Sequence, residues 1–484
     1  MGYRTVIGLE IHMQLATQSK IFCGCPVIDS GDYPLNTVIC PVCLGLPGSL
    51  PSLNEKAVLF GVMLALATDC HINETSIFYR KHYFYPDLPK GYQITQYKKG
   101  LANNGKLFID SHSSSKMIRI RQIHLEEDAG KIIHESDVDR SLIDYNRCGV
   151  PLVELVTEPD IESSQQAVDF VRKLRQIGLY LKICRGNMEK GNIRVDANIS
   201  IILDSGQKSP RIELKNLNSP RYMKKALDYE AERLSRALFN VEEIISETRL
   251  FDQNENITKP MRSKEKDDDY RYLPEPNIPP IEIDSTLLDK ARGAIPEMPD
   301  SKIERFTVEY GISEADAAIL CNTPSVAEYF ENAASATPRA VITTANLVLR
   351  EIFSIANREG VDFDEISEAI PAKKLGQLSR VLHEGKITRN KAEIVLLEIF
   401  KNGGEIEEII DRMEVRTITD LNVLQKAIEE VLYSNRTLVE RYNCGEEKLK
   451  GFFIGEVMKK TAGRANPKAI IRLIENQINK MENR

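Results

Sequence analysis

Glu10 and His12 stand two residues apart in the stretch 6–15, VIGLEIHMQL. Read with period two, Ile7, Leu9, Ile11, Met13 and Leu15 fall on one side, and Gly8, Glu10, His12 and Gln14 on the other. On a strand, a carboxylate and an imidazole so spaced project the same way, their Cβ atoms roughly 7 Å apart. Both can then reach one cation or one phosphate. The same alternation describes a half-exposed edge strand whose polar face meets water, so this stretch alone leaves both readings open.

Four cysteines follow. Cys23 and Cys25 in FCGCP are separated by fourteen residues from Cys40 and Cys43 in CPVC. C-x-C and C-x2-C offer four soft ligands from two tight turns, which suits tetrahedral Zn²⁺. Four thiolates fill the shell, so the metal expected there is structural; free thiols or a redox pair are the alternative. Cys70, Cys148, Cys184, Cys321 and Cys444 are scattered, as reduced thiols usually are.

Further candidates lie along the chain. In residues 78–97, Arg80, Lys81, Tyr83, Tyr85, Lys90 and Tyr92 interleave basic and aromatic side chains between prolines. Such a stretch stacks on a base or sugar and neutralises phosphate, or else forms an aromatic core loop. Residues 117–134 read as a strand ending in Glu126, Glu127 and Asp128, with Gly130 and Lys131 beyond. Residues 144–160 gather Asp144, Asn146, Arg147 and Glu154. In NIRVDANISIIL, Arg194, Asp196, Asn198 and Ser200 share a face, and in RIELKNLNS, Glu213 and Lys215 point together. Glu10, Glu126, Glu127, Glu154, Asp196 and Glu213 cannot crowd together ionised without counter-charge. His12, Lys131, Arg147, Arg194 and Lys215 supply some. Hard oxygen ligands with one histidine suit Mg²⁺ holding phosphate oxygens. That reading requires the strands to be neighbours in one sheet, which spacing does not give; otherwise the same groups make a structural ion-pair network.

The elements that must position these groups change character along the chain. Asn54 caps a helix expected over 54–68, another runs from about Ser163 to Ile177, and 220–245 is mostly helical. Five prolines among residues 274–296 mark the exit from a first domain. Asp269, Tyr270, Arg271 and Glu275 precede that exit, where they either close over the site or form a solvated loop. Beyond it the patterns are helical. Gly451 and Gly455 are placed to let a helix pack close, Gly463 stops one helix, and Asn466 and Pro467 start the next.

At 484 residues, two or three domains are expected. Apolar content of 42% and charged content of 28% are those of a soluble globular protein, and no apolar run is long enough for a membrane span. The N-terminus enters its strand at once, leaving no room for a signal peptide, and Val6 breaks the myristoylation pattern, so the setting expected is cytoplasmic. The net charge of −7 argues against a simple nucleic-acid coat. Residues 448–484 nevertheless hold nine Lys and Arg against three Glu, an excess of +6 that either grips a polyanion or forms a solvated face. No phosphate-binding P-loop, dinucleotide fingerprint or nucleophile elbow is present, and no repeat.

Taken in order, GLEIHMQL, CPVCLGLPG, FYPDLPKGYQITQY, HLEEDAGK, DYNRCGVPLVELVTEPD, RVDANIS, ELKNLNS, DYRYLPEP and GEVMKKTAGRANP resemble the GatB family of tRNA-dependent amidotransferases, of the bacterial type. They run from residue 8 to residue 467. The resemblance implies a ligase working as a heterotrimer, in which an amidase (the A subunit) and a small C subunit join this chain. ATP phosphorylates the side-chain carboxylate of Glu-tRNA(Gln) or Asp-tRNA(Asn), and ammonia released from glutamine then gives the amide.

It further implies an α+β fold: a β-rich cradle domain over 1–293, a helical domain over 294–406 and a small helical tail domain over 407–484. Strand alternation early and helical spacing late agree with this independently. By resemblance, Mg²⁺ contact falls on Glu10, His12, Glu126, Glu127 and Glu154, with Asp196 and Glu213 as further ligands or water holders. Glu127, Glu154, Lys131 and Arg147 are carried over to the chemical step, and Lys81, Arg194 and Lys215 to the ATP phosphates. Lys459, Lys460, Arg464 and Lys468 are expected to contact tRNA. The cysteines are expected to hold structural Zn²⁺, dispensable to the chemistry because some family members lack the pattern. A non-catalytic tRNA-binding scaffold is the alternative. A stand-alone zinc hydrolase would need an open metal position, which four thiolates argue against.

Overall fold

The computed structural model describes residues 2–28, 33–111, 114–134, 140–263, 267–418 and 420–482. The chain is α+β, and it divides into two compact units, residues 1–298 and 299–484.

The first unit is built on the opening strand, Tyr3–Gln14. Its odd-numbered residues Ile7, Leu9, Ile11 and Met13 are at most 1% exposed, while the even-numbered ones are only partly covered. The alternation is therefore a real division between core and open face. Pro151–Thr157 and Ile193–Leu203 flank this strand, both antiparallel, with Glu10 opposite Val156 and Asp196 and His12 opposite Glu154 and Arg194. Among the described residues the sheet has twelve strands. It continues past Ile193–Leu203 through Ile212–Lys215, Glu247–Asp252 and Ile257–Ser263. Past Pro151–Thr157 it continues through Ser114–Glu127, Tyr92–Gln96, Phe78–His82 and the short Leu273–Pro274.

Three helices belong to the same apolar core: Glu55–Ala67, Ser164–Tyr180 and Pro220–Phe239. Their N-termini are fixed by side-chain caps, Asn54 accepting from Lys56 N, Ser163 from Gln166 N and Ser219 from Tyr222 N. Gly178 permits the close approach of its helix, because a Cβ there would lie 2.9 Å from Met13 Sδ. With the apolar face so covered, the opposite face is left to polar side chains.

The strand expected to end at the acidic residues does so, and a second, short one follows it. Ser114–Glu127 ends at the acidic turn, and Lys131–His134 pairs instead with Ser141–Asp144 in a separate two-stranded sheet.

The second unit is helical and holds two hydrophobic cores, one spanning Phe306–Val415 and one spanning Leu424–Ile478. Helix Ile406–Arg412, straddling the division expected at 406/407, buries Ile406, Ile409 and Ile410 in the former. A Cβ at Gly451 or Gly455 would meet nothing within 4 Å, so the close helix packing expected there is not found among the described residues. Nor is any described helix long and apolar enough to cross a membrane.

Candidate active site and metal centres

The polar face collects its charged groups because neighbouring strands put residues of like parity side by side. His12 Nε2 lies 3.1 Å from Glu154 Oε2, 3.3 Å from Glu126 Oε1 and 3.9 Å from Glu10 Oε1. His124, one strand further, places Nε2 3.1 Å from the same Glu154 oxygen. Glu126, His124 and Glu154 are buried. Glu10 is pushed up to about 7, chiefly by the charge of Glu154 and then by burial, with His12 opposing. Burial works to discharge His12, but Glu154 and Glu126 outweigh it and hold the imidazole well above its usual value. Burial likewise opposes ionisation of Glu154, and His124 and His12 reverse that, bringing it well below the usual carboxylate range.

These donors fit a divalent cation. Ligand atoms of Glu10, His12 and Glu154 lie within 4.8 Å of one another, as do those of His124, Glu126 and Glu154. Two imidazoles stand where one was expected, which makes the donor set somewhat softer than an all-oxygen Mg²⁺ shell.

A cleft of about 360 Å³ opens over this cluster, with a neighbouring one of about 250 Å³; Glu10, Lys81, Glu126, Glu154 and Lys215 line both. Lys215 pairs with Asp196 at 2.5 Å and lies 3.7 Å from Glu213, which accepts from Thr248 Oγ1 at 2.7 Å. Arg194 and Gln14 donate to Asp128, and Arg147 Nε lies 3.6 Å from it. Burial opposes the charge of Asp128, and Arg194 and Arg147 keep it ionised below the usual range. Arg194 Nε is buried without a hydrogen-bond partner.

The far wall is aromatic. Tyr97 and Tyr272 stack with centroids 4.1 Å apart, Tyr270 meets Tyr272 edge-on, and Lys81 Nζ sits 4.6 Å from the Tyr270 centroid. The segment carrying Tyr270 and Tyr272 is latched by its Leu273–Pro274 pairing with Phe78–His82. Arg80 adds two hydrogen bonds to Glu275, at 2.6 and 3.1 Å. Of the two roles open to this segment, Tyr270 takes that of lining the cleft.

Three of the residues carried over to the chemical step lie elsewhere. Glu127 points away from Glu126, because consecutive strand residues face opposite sides. Lys90 donates to both of its carboxylate oxygens, and Ile94 N donates at 2.8 Å. Among the described residues, none of these hydrogen bonds or ion pairs reaches the His12 cluster. Lys131 is exposed on the separate hairpin and lines a different, small pocket with Asp144, Arg147 and Lys190. Arg147 itself braces the loop, donating to the carbonyls of Ala129 and Gly130. Sequence reasoning missed His124, although counting back two from Glu126 reaches it. It also missed Asp128 as an anchor and Tyr97 and Tyr272 as a wall, for which no local pattern gave a signal.

The cysteines converge as expected. Cys43 Sγ lies 3.5 Å from Cys23, 3.6 Å from Cys40 and 3.7 Å from Cys25, and none is in a disulfide. A tetrahedron with Zn–S near 2.3 Å has edges of about 3.8 Å, so the four sulfurs fit zinc. The knuckle is tied to the 145–150 turn by Val38 N donating to Asn146 Oδ1 and Ile21 N to Gly149 O.

Of the basic tail residues, Lys459 and Lys460 are exposed at the end of helix Leu449–Lys460, and Arg464 follows in the turn. Lys460 pairs with Glu430 and Arg464 donates to Glu414 O at 3.4 Å, so neither cation is wholly uncommitted. The side chain of Lys468 lies outside the described residues.

Comparison with known proteins follows this division. Residues 5–289 match the GatB/GatE catalytic domain, and residues 328–478 match the GatB domain. The B subunit of the aspartyl/glutamyl-tRNA(Asn/Gln) amidotransferase of Thermotoga maritima is 44% identical over 480 residues, 98% of this chain and 99% of that protein. The chain belongs to the GatB family. The same-named subunit of Thermodesulfovibrio yellowstonii is 46% identical over 477 residues, 98% of this chain and 99% of that protein. The stretch matched to the GatB/GatE catalytic domain includes every residue of the acidic cluster and all four cysteines.

Proposed function

We propose that this GatB-family chain is the B subunit of a tRNA-dependent amidotransferase. On its polar sheet face, ATP phosphorylates the side-chain carboxylate of Glu-tRNA(Gln), Asp-tRNA(Asn) or both. The observation that carries this reading is the meeting of Glu10, His12, His124, Glu126 and Glu154 from three adjacent strands under an open cleft walled by cations and tyrosines.

The chemistry needs such a surface. The substrate carboxylate attacks the γ-phosphorus of ATP, forming a carboxyl–phosphate bond while ADP leaves. Ammonia then attacks the acyl carbon, inorganic phosphate leaves with the electron pair, and the amide remains. The attacking carboxylate and the triphosphate repel one another, so the cations nearby govern the first step. Lys81 and Lys215 line the cleft where they offset phosphate charge, and Arg194, held by Asp128, lines the neighbouring one. A divalent cation, Mg²⁺ in this reading, would be held by Glu10, His12, Glu126 and Glu154 with His124, and supplies charge neutralisation of the phosphate oxygens. The Tyr97, Tyr270 and Tyr272 wall limits water at an acyl group that hydrolysis would waste. No nucleophile frame for releasing ammonia is present in the sequence, so a partner amidase, the A subunit, supplies it. A small C subunit is the third member of the heterotrimer. Zn²⁺ at the four cysteines is structural, Lys459, Lys460 and Arg464 contribute to tRNA contact, and the setting is cytoplasmic.

The test is the co-expressed trimer with each purified misacylated tRNA. Glu154→Gln is expected to abolish both tRNA-dependent ATP hydrolysis and amide formation while leaving tRNA affinity unchanged. Full amide formation by that variant would leave only a tRNA-binding scaffold.

A further inference from the structure

Lys20 has no exposed surface. Its ammonium donates to Val38 O at 2.9 Å and lies 3.6 Å from Cys43 Sγ, and among the described residues no carboxylate comes within ion-pair distance of it. Its stem runs beside Gly149, whose Cβ position lies 3.5 Å from Lys20 Cδ. Its main-chain N–H donates to Cys25 O at 2.9 Å. The residue therefore touches both halves of the cysteine cluster, the C-x-C turn through its backbone and the C-x2-C turn through its side chain.

A buried ammonium without an anion is strongly unfavourable, and a carbonyl and a neutral thiol do not offset it. Four thiolates around one divalent cation carry a formal charge of −2, unfavourable above all at Cys43, the one cysteine of the four that is buried. Each charge answers the other. We propose that Lys20 is the buried counter-ion of the four-cysteine metal centre, a positioning residue that holds Cys43 by a charge-assisted N–H···S bond and strengthens the retention of zinc. The inference rests on the zinc reading above, and it makes metal and lysine mutually stabilising: removing either leaves the other's charge uncompensated.

The full-length chain loaded with Zn²⁺, and separately with Co²⁺ as a spectroscopic reporter, tests this. One zinc per parent chain is expected, lost when Cys40 and Cys43 become serine; a parent that takes up none overturns the zinc reading itself. Given zinc in the parent, Lys20→Met is expected to weaken it by about 10–100-fold in chelator competition, the range for groups that orient metal ligands. The sulfur-to-cobalt charge-transfer band is expected to shift. Lys20→Gln keeps a donor for the Val38 carbonyl without the charge, is expected to behave alike, and serves if the methionine variant does not fold. In a background with all four cysteines changed to serine, neutralising Lys20 should raise thermal stability, whereas in the zinc-loaded parent it should lower it. Unchanged zinc affinity and cobalt spectrum, or an equal loss of stability in both backgrounds, would overturn the proposal and leave Lys20 a packing residue.

Discussion

Among the described residues, groups able to ligate a metal gather in two places, and these are built on opposite principles. The cysteine knuckle is local, its four ligands drawn from 21 consecutive residues, 23–43, with the other three sulfurs 3.5–3.7 Å from that of Cys43. The acidic cluster is assembled from residues 10 to 154 by strand order, mixes carboxylates with imidazoles, and faces an open cleft. A saturated shell of thiolates serves structure. A mixed set with space above it can exchange ligands with a substrate. In the proposed reading, what separates a structural centre from a reactive one is less the number of donors than what is left open beside them.

The largest effect that would break this contrast is at Glu154, the carboxylate shared by both imidazoles. Glu154→Ala is expected to lower amide formation by the trimer more than about 100-fold, beyond what changes to groups merely orienting a ligand cause. Activity within a few fold of the parent would remove the cluster from the chemistry. Next comes the pair Glu126 and Glu127. Glu126→Gln should reduce divalent-cation affinity measured by calorimetry with little change in stability. Glu127→Gln leaves the buried Lys90 ammonium uncompensated and should cost about 3–5 kcal/mol in denaturant unfolding without changing cation affinity. The reverse result would put Glu127 back in the site.

Cys40→Ser sharpens the contrast from the other side. It should empty the knuckle and lower the melting temperature by several degrees, yet leave cation binding at the sheet intact. Loss of both would make the two centres one cooperative unit.

The smallest effect concerns the tyrosine wall. Burial opposes ionisation of Glu275, but the hydrogen bonds from Arg80 overcome it, so its carboxyl sits below the usual range. A depressed acid contributes stability that is complete above its unfolded value and is lost as pH falls through the folded one. Hydrogen exchange at residues 273–277 should therefore quicken on acidification below the usual glutamate range, relative to Glu275→Gln, which removes the dependence. Identical profiles would dissolve the latch.

Much of this was legible where the signal is local. The alternation at 6–15 and 193–203 gives the correct faces, the Asn54 cap and the helix starts expected near 163 and 220 agree with the structure, and cysteine spacing places the knuckle. Failures arose where strand continuity decides a face. Glu126 and Glu127 read as one acidic turn, yet the strand persists through both and period two sends them apart. The same rule, applied backwards, would have yielded His124. Lys131 lay beyond the break at the acidic residues, on a hairpin whose direction the sequence does not give, and the adjacency of Tyr3–Gln14 to strands some 140 and 190 residues later is a property of topology.

That adjacency also bears on the order in which the protein can be made. Both edges of Tyr3–Gln14 wait for partners ending at Thr157 and Leu203, so during synthesis this apolar strand emerges long before anything can cover it. The cysteine turns just behind it can close at once, giving the nascent chain an early fixed point. A ribosome paused before residue 203 would carry the first half of the polar sheet face without the strand that completes it.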